Sequence, residues 1–183
     1  MRVTLLDYGM GNLRSVTRAL EAAGADVSRQ HDVGDAPLVL PGVGAFGRAA
    51  ANLHGKRWDD LREHAARGRP LLGICLGMQL CFESSDEHGH HAGLGFFAGQ
   101  VRHLGTGVIV PNMGWHRLAG LGDPWAYFAH SFGVRQSADR VATIDHGGQI
   151  VAAARRGSVT GFQFHPEKSG AAGIALIKEW LRC

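Results

Sequence analysis

Cys75 stands at the centre of a pattern that could carry nucleophilic chemistry. Glycines lie two residues before it and two residues after it, at Gly73 and Gly77. A short apolar run of strand type precedes the cysteine, and residues 76–82 have the spacing of a helix. A strand that turns this sharply into a helix crowds its own backbone, so only glycine fits at the flanking positions. The pattern predicts a nucleophile elbow that presents the thiol beside the free N–H groups of the helix.

A simpler interpretation of Cys75 is a small buried apolar residue, because most free cysteines are of that kind. The chain holds two further cysteines, Cys81 and Cys183. An odd count without a Cys-x-x-Cys pair predicts free thiols in a reducing compartment, with Cys81 packed in the core or a groove. The elbow by itself therefore leaves catalysis and packing both open.

A second group of chemically capable residues ends the last strand-like stretch of the chain. His165 and Glu167 flank a proline there, and proline cannot continue a sheet. A histidine at a strand end can accept a proton from a thiol, and a carboxylate two residues later can hold its second nitrogen. Taken alone, the same residues could form an ordinary surface turn. Together with the cysteine elbow, they supply a nucleophile, a base and a group that orients the base.

The elements that must position these residues alternate between strand and helix in the first half of the chain. This alternation predicts a parallel sheet with right-handed crossovers and a site at the carboxyl ends of its strands. Cys75 and the glycine-rich segment 41–44 both lie at that edge. The predicted strands are residues 3–6, a stretch near Val27, 38–40 and 71–74, and the predicted helices are 13–23, 46–53 and 58–66.

The second half of the chain follows a pattern typical of antiparallel structure. Gly147 and Gly148 indicate a hairpin between two of its short strands. We therefore expect one α/β domain over residues 1–183, with a mostly parallel central sheet and a small antiparallel sheet. The predicted elements here are strands at residues 99–104, 108–110, 126–129, 140–145, 150–154 and 159–164, and a helix at 170–181.

Composition narrows the classes of function that the chain could have. Its 183 residues are 45% hydrophobic and 19% charged, and a net charge of +3 is spread along the chain. This composition is that of a globular protein without a basic stripe for nucleic acid, a membrane-spanning run or a signal peptide. His88, His90 and His91 lack the spacing of metal ligands. We therefore expect a cytoplasmic protein with no metal, no cofactor, no nucleic-acid partner and no membrane partner.

Six motifs spread along the chain together resemble a known family. Two of them resemble the signatures of the triad-type, class I glutamine amidotransferases, and the other four resemble the glutaminase subunits of imidazole glycerol phosphate synthase. That resemblance implies a flavodoxin-like, three-layer fold and a role in histidine biosynthesis. The motifs are Gly-Ile-Cys-Leu-Gly-Met-Gln from Gly73, Gly-Phe-Gln-Phe-His-Pro-Glu-Lys-Ser from Gly161, Asp-Tyr-Gly-Met-Gly-Asn from Asp7, Pro-Gly-Val-Gly-Ala-Phe from Pro41, Pro-Asn-Met-Gly-Trp from Pro111 and Tyr-Phe-Ala-His-Ser-Phe from Tyr127.

The resemblance implies a role for each residue that matches the family pattern. Cys75 would attack the side-chain amide of glutamine, His165 would pass the thiol proton to the leaving ammonia, and Glu167 would orient His165. A glutamyl thioester would form on the cysteine, and water would hydrolyse it to glutamate. The oxyanion would be held by backbone N–H groups, those of Leu76 and of either Gly42 or Val43.

The resemblance also implies how the substrate is held. Glu83 is an alternative to Glu87 as the carboxylate that holds the substrate, because it lies one helical turn from Gln79. Phe132 stands where relatives often carry tyrosine, which removes a hydroxyl from the site. The residues that match positions around the amino-acid end of glutamine are Gln79, Glu87, Ser131 and Phe132.

A partner is implied as well, since no second domain remains to use the ammonia. The family employs a separate cyclase subunit, a (β/α)8 barrel, which forms a heterodimer and receives ammonia through a tunnel. The products are imidazole glycerol phosphate and aminoimidazole carboxamide ribotide. Asn12, Trp115 and Lys168 match interface positions, although Trp115 could equally be a core residue and Lys168 a solvated charge. Rotation within the segment 41–44 would keep an oxyanion donor turned away until the liganded cyclase binds.

Three other functions stay open on the sequence alone. The chain could be a triad glutaminase of pyridoxal phosphate, anthranilate or guanylate synthesis, which the motifs from Asp7 and Pro111 disfavour. It could be a cysteine hydrolase of related fold, although Gln79 and the spacing of His165 and Glu167 argue against that. It could also be a flavodoxin-like binding module in which Cys75 is only structural or redox-sensing.

Overall fold

The structure, a computed structural model, describes residues 1–182 as a large twisted sheet with helices on both faces and two smaller sheets. A single 3-10 turn at Pro166–Lys168 precedes the last helix. In chain order the other elements are β1 (Arg2–Leu6), α1 (Leu13–Ala22), β2 (Asp26–Gln30), β3 (Leu38–Leu40), α2 (Phe46–Leu53), α3 (Lys56–Ala66), β4 (Leu71–Ile74), α4 (Leu76–Leu80), β5 (Phe82–Ser85), β6 (His91–Ala92), β7 (Phe97–His103), β8 (Asn112–Arg117), β9 (Trp125–His130), β10 (Phe132–Gly133), β11 (Arg140–Asp145), β12 (Gln149–Arg156), β13 (Val159–Phe162) and α5 (Gly170–Trp180).

The large sheet has seven strands in the order β11-β12-β13-β4-β3-β1-β2. The five from β13 to β2 are parallel to their neighbours, and β12 and β11 extend the sheet in antiparallel fashion. The hairpin expected at Gly147 and Gly148 joins those last two strands, because Asp145 pairs with Gln149 across it. A mostly parallel central sheet is therefore confirmed, and it includes three strands from the second half of the chain, β11, β12 and β13.

Helices cover both faces of this sheet, which explains the continuous apolar runs in its strands. Helices α1 and α5 pack on one face, where Leu20 and Ile177 belong to the same apolar cluster as Leu5 from β1. Helices α2, α3 and α4 pack on the other face, where Leu53 and Leu61 join the second apolar cluster. The expectation of three layers in a flavodoxin-like arrangement is confirmed.

The smaller sheets differ from the sequence-based expectation in several strands, because β5, β6 and β10 were not expected and one expected strand is displaced. Residues 108–110 do not form a strand, and the strand lies instead just after them, at β8, which pairs with β9. Ile109 is 83% exposed, and its carbonyl accepts a hydrogen bond from His146 Nε2 at 2.8 Å rather than from a sheet. Pro111 follows without an N–H to donate, so a ladder can begin only beyond it.

The helix expected over residues 76–82 is shorter than its periodicity indicates. It ends at Leu80, and Phe82 begins β5, where it pairs with Phe97 of β7. Phe82 is 1% exposed because it packs against that neighbouring strand, and this burial outweighs a local preference for helix. The four-stranded sheet that results has the order β10-β7-β5-β6 and contains one parallel pair, β5 with β7.

The remaining helices match their expected spans closely. Helix α3 begins at Lys56, two residues before the expected start, and α5 ends at Trp180. Within residues 1–182, none of the helices has both the length and the apolar character needed to cross a membrane.

Candidate active site

Cys75 lies at a sharp turn between β4 and α4 in a conformation that few L-residues adopt. Its backbone has φ of 53° and ψ of −107°, a left-handed conformation that costs a non-glycine residue about 1–3 kcal/mol. The adjacent strand holds it there, because the Cys75 N–H donates to the Phe162 carbonyl at 2.7 Å. The side chain is 6% exposed. The predicted elbow therefore has the strained geometry that aims a nucleophile out of the sheet.

The two glycines around Cys75 are a steric requirement of this turn. A Cβ on Gly77 would lie 1.9 Å from the carbonyl oxygen of Leu40, which belongs to the neighbouring strand β3. A Cβ on Gly73 would lie 2.7 Å from the carbonyl oxygen of Gly77. Both obstacles are backbone atoms that cannot rotate away. Alanine at either position would therefore force the strand and the helix apart.

The register of the large sheet brings the cysteine and the histidine together. Ile74 and Phe162 are partners in the parallel pair β4 and β13, so the residues that follow them leave the sheet side by side. The Cys75 thiol lies near enough to the His165 ring to raise the pKa of that ring. On its other side, the Nδ1 of His165 lies 2.8 Å from Oε1 of Glu167. Thiol, imidazole and carboxylate thus lie next to one another in that order.

His165 is held in its protonated form by these two partners. Burial of the ring lowers its pKa, but the hydrogen bonds with Cys75 and Glu167 outweigh burial and raise the pKa to about 10. The His165 and Glu167 side chains are each only 3% exposed, so little water screens the pair. At neutral pH the imidazole therefore carries a proton that it can deliver to a leaving amine.

The backbone of His165 is braced by β9 through Ser169, a residue that the sequence did not single out. The His165 N–H donates to the Tyr127 carbonyl at 2.8 Å, and the Ser169 hydroxyl donates to the His165 carbonyl at 2.7 Å. The same hydroxyl oxygen accepts from the Tyr127 N–H at 2.9 Å. A serine directly before a helix ordinarily indicates a cap. Here its side chain instead fixes the strand end that carries the histidine.

The backbone donor expected for an oxyanion is bonded to the protein itself. The Leu76 N–H points at the carbonyl oxygen of Gly42, at 3.4 Å. Because a peptide group is planar and trans, the N–H of Val43 in that same peptide points the opposite way. A Cβ on Gly42 would lie 2.8 Å from Leu76 Cβ, so only glycine permits this approach. The N–H groups of Leu76 and Val43 therefore do not converge in this structure.

A cleft of about 390 Å³ opens in front of Cys75. Glu87 lines it and is anchored, since its Oε2 accepts from the Phe46 N–H at 2.8 Å at the start of α2. Glu83, the alternative carboxylate, is not among the lining residues, and its Oε2 instead accepts from the Gly99 N–H at 2.8 Å. The expected site residues that line the cleft are Val43, Cys75, Leu76, Gln79, Glu87, Ser131 and Phe132.

Gln79 belongs to a polar network beneath this cleft. Its Nε2 donates to the Phe132 carbonyl at 2.9 Å and to Gln163 Oε1 at 3.1 Å. The Nε2 of Gln163 in turn lies 3.7 Å from the Cys75 sulfur. Sequence reasoning missed Gln163 as a site residue. Gln163 directly follows Phe162, which pairs with Ile74, and therefore lies beside Cys75. This pairing is known only from the folded sheet.

His130 is a second residue that sequence reasoning missed. Burial lowers its pKa to about 4, so the ring is neutral at physiological pH. Its Nδ1 lies 2.8 Å from the Phe132 carbonyl and its Nε2 lies 3.1 Å from the Asn112 side-chain nitrogen. The neutral ring therefore donates through Nδ1 and accepts through Nε2. The Phe132 carbonyl receives donors from both Gln79 and His130, which fixes the wall of the cleft.

The residues matched to a partner interface lie on the outer surface. Trp115 is 51% exposed, so it is not a core residue, and its ring lies 6.0 Å from that of Tyr127. The Lys168 Nζ lies 5.7 Å from the Tyr127 ring centroid, as a cation above its face. Asn12 caps helix α1, because its side chain accepts from the Ser15 N–H at 3.3 Å. Trp115, Tyr127 and Lys168 thus form one surface cluster.

The histidine-rich stretch is divided by the fold. His88 lines the cleft, His90 is exposed in the turn and His91 lies in strand β6. Among residues 1–182, no group of three or more histidine, cysteine, aspartate and glutamate side chains is arranged to hold a metal ion.

A glutamine-analogue electrophile is expected to label Cys75 and to spare Cys81. Cys75 faces the cleft, whereas Cys81 is fully buried and burial raises the pKa of its thiol, which disfavours the reactive thiolate. Peptide mass mapping after labelling measures both sites, with excess L-glutamine as the protecting control. Cys183 lies outside the described residues, and we expect the analogue to spare it too. Labelling of Cys81 at a rate comparable to Cys75 would contradict this expectation.

Comparison with known proteins gives consistent matches over almost the whole chain. The family model for glutamine amidotransferase class-I matches residues 4–182. Imidazole glycerol phosphate synthase subunit HisH of Exiguobacterium sibiricum is 44% identical, over 97% of this chain and 93% of that protein. The protein of the same name from Aquifex aeolicus is 44% identical, over 100% of this chain and 97% of its own length.

Solved structures match the fold at much lower identity. A structure of PurLQS from Thermotoga maritima matches 99% of this chain and 97% of that chain, with a TM-score of 0.78 and 21% identity. A crystal structure described as glutamine amidotransferase matches 99% of both chains, with a TM-score of 0.77 and 21% identity. At this level of identity the matches support the fold alone.

Proposed function

The chain belongs to the class I glutamine amidotransferase family, with close relatives named imidazole glycerol phosphate synthase subunit HisH, and on this basis we propose that it hydrolyses L-glutamine through Cys75, His165 and Glu167. One observation carries the proposal: the thiol, the imidazole and the carboxylate lie together beside the cleft, with His165 Nδ1 2.8 Å from Glu167 Oε1. A buried thiol that served only for packing would not need a protonated histidine and an ordered carboxylate next to it.

This arrangement supports a reaction in two stages. The Cys75 sulfur, whose proton has passed to His165, attacks the carboxamide carbon of glutamine, and the carbonyl oxygen takes up the negative charge. His165 then gives its proton to the amide nitrogen, the C–N bond breaks, and ammonia leaves a glutamyl thioester. His165 next removes a proton from water, whose oxygen attacks the thioester and releases glutamate and the thiol. Glu167 holds Nδ1 throughout, so Nε2 is the atom that takes up and delivers each proton.

The cleft offers complementary groups for the amino-acid end of glutamine. Among the lining residues, all of them within residues 1–182, Glu87 alone carries a carboxylate. One of its oxygens is engaged by Phe46, and we assign the other to the α-ammonium group of the substrate. Gln79 fixes the backbone of residues 131–132, and we propose that this backbone binds the α-carboxylate of the substrate. Phe132 has no hydroxyl, so recognition on that side rests on backbone groups.

We propose that the ammonia is used by a partner, the cyclase subunit of imidazole glycerol phosphate synthase. The outer face of β8 and β9 carries apolar side chains that a docked subunit would bury, and aromatic residues are enriched in such interfaces. Met113 is 63% exposed and Trp125 is 56% exposed, and we expect them, with Trp115, Lys168 and Asn12, to contact a (β/α)8 barrel in a heterodimer. Ammonia then crosses to the cyclase, which forms imidazole glycerol phosphate and aminoimidazole carboxamide ribotide in histidine biosynthesis. The free thiols Cys75 and Cys81 are consistent with a reducing cytoplasm.

The partner is also proposed to switch the glutaminase on. With the Gly42 carbonyl on the Leu76 N–H, the site cannot hold an oxyanion. Rotation of the Gly42–Val43 peptide would withdraw that carbonyl and turn the Val43 N–H inward. Glycine makes this rotation inexpensive, and a cyclase with bound ligand would shift the population toward the rotated state.

The test measures glutamate release by the chain alone, with the cyclase subunit, and with the cyclase subunit and its ligand. We expect the liganded complex to be faster by at least about 100-fold, because one oxyanion donor is worth about 10²–10³ in kcat. Equal rates in all three conditions would contradict the switch. Absence of glutamate in every condition would contradict the glutaminase function itself, and a cyclase that stays inactive with glutamine would favour a glutaminase of another pathway.

A further inference from the structure

The segment 41–44 is in contact with the glycine-rich turn after β1, residues 7–12. The Tyr8 hydroxyl donates to the Pro41 carbonyl at 2.6 Å, and the Tyr8 side chain is buried. The backbone of the same residue is tied to helix α2, because the Tyr8 carbonyl accepts from Asn52 Nδ2 at 3.1 Å. The Tyr8 hydroxyl, on a firmly held side chain, is therefore hydrogen-bonded to the carbonyl of Pro41, the residue immediately before Gly42.

The turn also restricts the segment by close contact. A Cβ on Gly42 would lie 3.0 Å from the Tyr8 hydroxyl oxygen, and a Cβ on Gly44 would lie 3.1 Å from the end of Met10. Burial raises the pKa of Tyr8, so its hydroxyl remains a donor over the whole physiological range. The segment thus has little freedom to move as a whole.

These contacts act on the peptide groups in different ways. The Pro41 carbonyl belongs to the peptide that enters Gly42, and the hydroxyl of Tyr8 holds it in one orientation. The next peptide, between Gly42 and Val43, carries the carbonyl that is bonded to Leu76 N–H. The two peptides share the Gly42 Cα, and a Cβ built on that atom would lie 3.0 Å from the Tyr8 hydroxyl oxygen.

We propose that Tyr8 is a positioning residue that holds the segment 41–44 in the state in which the Gly42 carbonyl covers the Leu76 N–H. This inference rests on the proposed glutaminase function and names a residue that controls it. Asn12 lies at the end of the same turn, at a position assigned to the cyclase interface. A partner that contacts Asn12 therefore acts on the turn that carries the restraining hydroxyl.

The test is Tyr8→Phe, which removes the hydroxyl and keeps the buried ring. We expect kcat of glutamate release by the chain alone to rise about five- to tenfold, the effect of losing one buried hydrogen bond in the resting state. KM for glutamine should stay within about twofold, because Tyr8 does not line the cleft. The rate of the liganded complex should be unchanged. The ratio of that rate to the rate of the chain alone should therefore fall by the same factor of about five to ten.

The matched control is Thr17→Val, which removes a hydroxyl that donates to the Leu13 carbonyl at 2.8 Å within helix α1. It should change neither the basal rate nor the stimulation. If Tyr8→Phe does not fold, Met10→Ala serves as a second variant, with an expected rise of about twofold from the lost contact at Gly44. An unchanged or lower basal rate in the folded variant would overturn the inference. A wild-type complex that releases no glutamate would instead contradict the proposed function.

Discussion

Cys75→Ala is expected to abolish glutamine hydrolysis while the complex still forms product from added ammonium salt. The thiol is the only group in the proposed mechanism that bonds to the substrate, so without it no thioester can form. Loss of a nucleophile of this kind lowers kcat by at least about 10⁴-fold. The cyclase reaction with ammonia does not pass through this residue, and the small change in side-chain volume leaves the elbow in place. Coupled assays with glutamine and with ammonium measure the two activities separately.

The matched control for this variant is Cys81→Ala. Cys81 is the other cysteine among residues 1–182, is fully buried and lies in the turn that ends α4. Its thiol donates only to the Gly77 carbonyl, at 3.2 Å. We expect its replacement to leave glutaminase activity within about threefold, because one such weak bond has a small net effect. Loss of both activities in Cys75→Ala would count against a purely glutaminase role.

Gly77→Ala is expected to destabilise the whole domain as well as the site. The added Cβ would lie 1.9 Å from the Leu40 carbonyl oxygen, which is about half of an ordinary contact distance. Relief requires α4 to move away from β3, and that movement opens the core on which Leu40 and Met78 pack. Overpacking of this severity lowers the free energy of unfolding by about 3 kcal/mol or more.

Urea denaturation monitored by tryptophan fluorescence measures this change. Gly107→Ala is the control, because a Cβ at Gly107 would meet no atom within 4 Å and its backbone lies outside the left-handed region. We expect the control to stay within about 0.5 kcal/mol of the wild type, as surface substitutions usually do. Equal unfolding midpoints for Gly77→Ala and Gly107→Ala would show that the elbow tolerates a side chain and that the steric account is wrong.

The elements that depend on neighbouring residues in the chain could be predicted from the sequence. The apolar run before Cys75, the glycines beside it and the hairpin at Gly147 each reflect local backbone geometry. Helices such as α1 were recognisable because one face of each is apolar. The order of strand and helix in the first half therefore sufficed to predict the parallel sheet and the edge that carries the site.

Other features depend on contacts between residues far apart in the chain, and the sequence could not supply them. The early end of α4 results from the burial of Phe82 against Phe97. Glu87 lines the cleft and Glu83 does not, because β5 pairs with β7 and Glu83 accepts there from the Gly99 N–H. In each case tertiary packing outweighs a local preference.

The chemistry of the site divides in the same way. Residue types and spacing alone identified a thiol, an imidazole and a carboxylate that could react together, because each motif follows local rules of backbone geometry. Only the folded chain determined that Gln163 lies beside the sulfur, that His130 fixes the cleft wall, and that the Gly42 carbonyl covers a donor. Those facts depend on strand register and on the orientation of single peptide groups, which are set by the sum of many distant contacts.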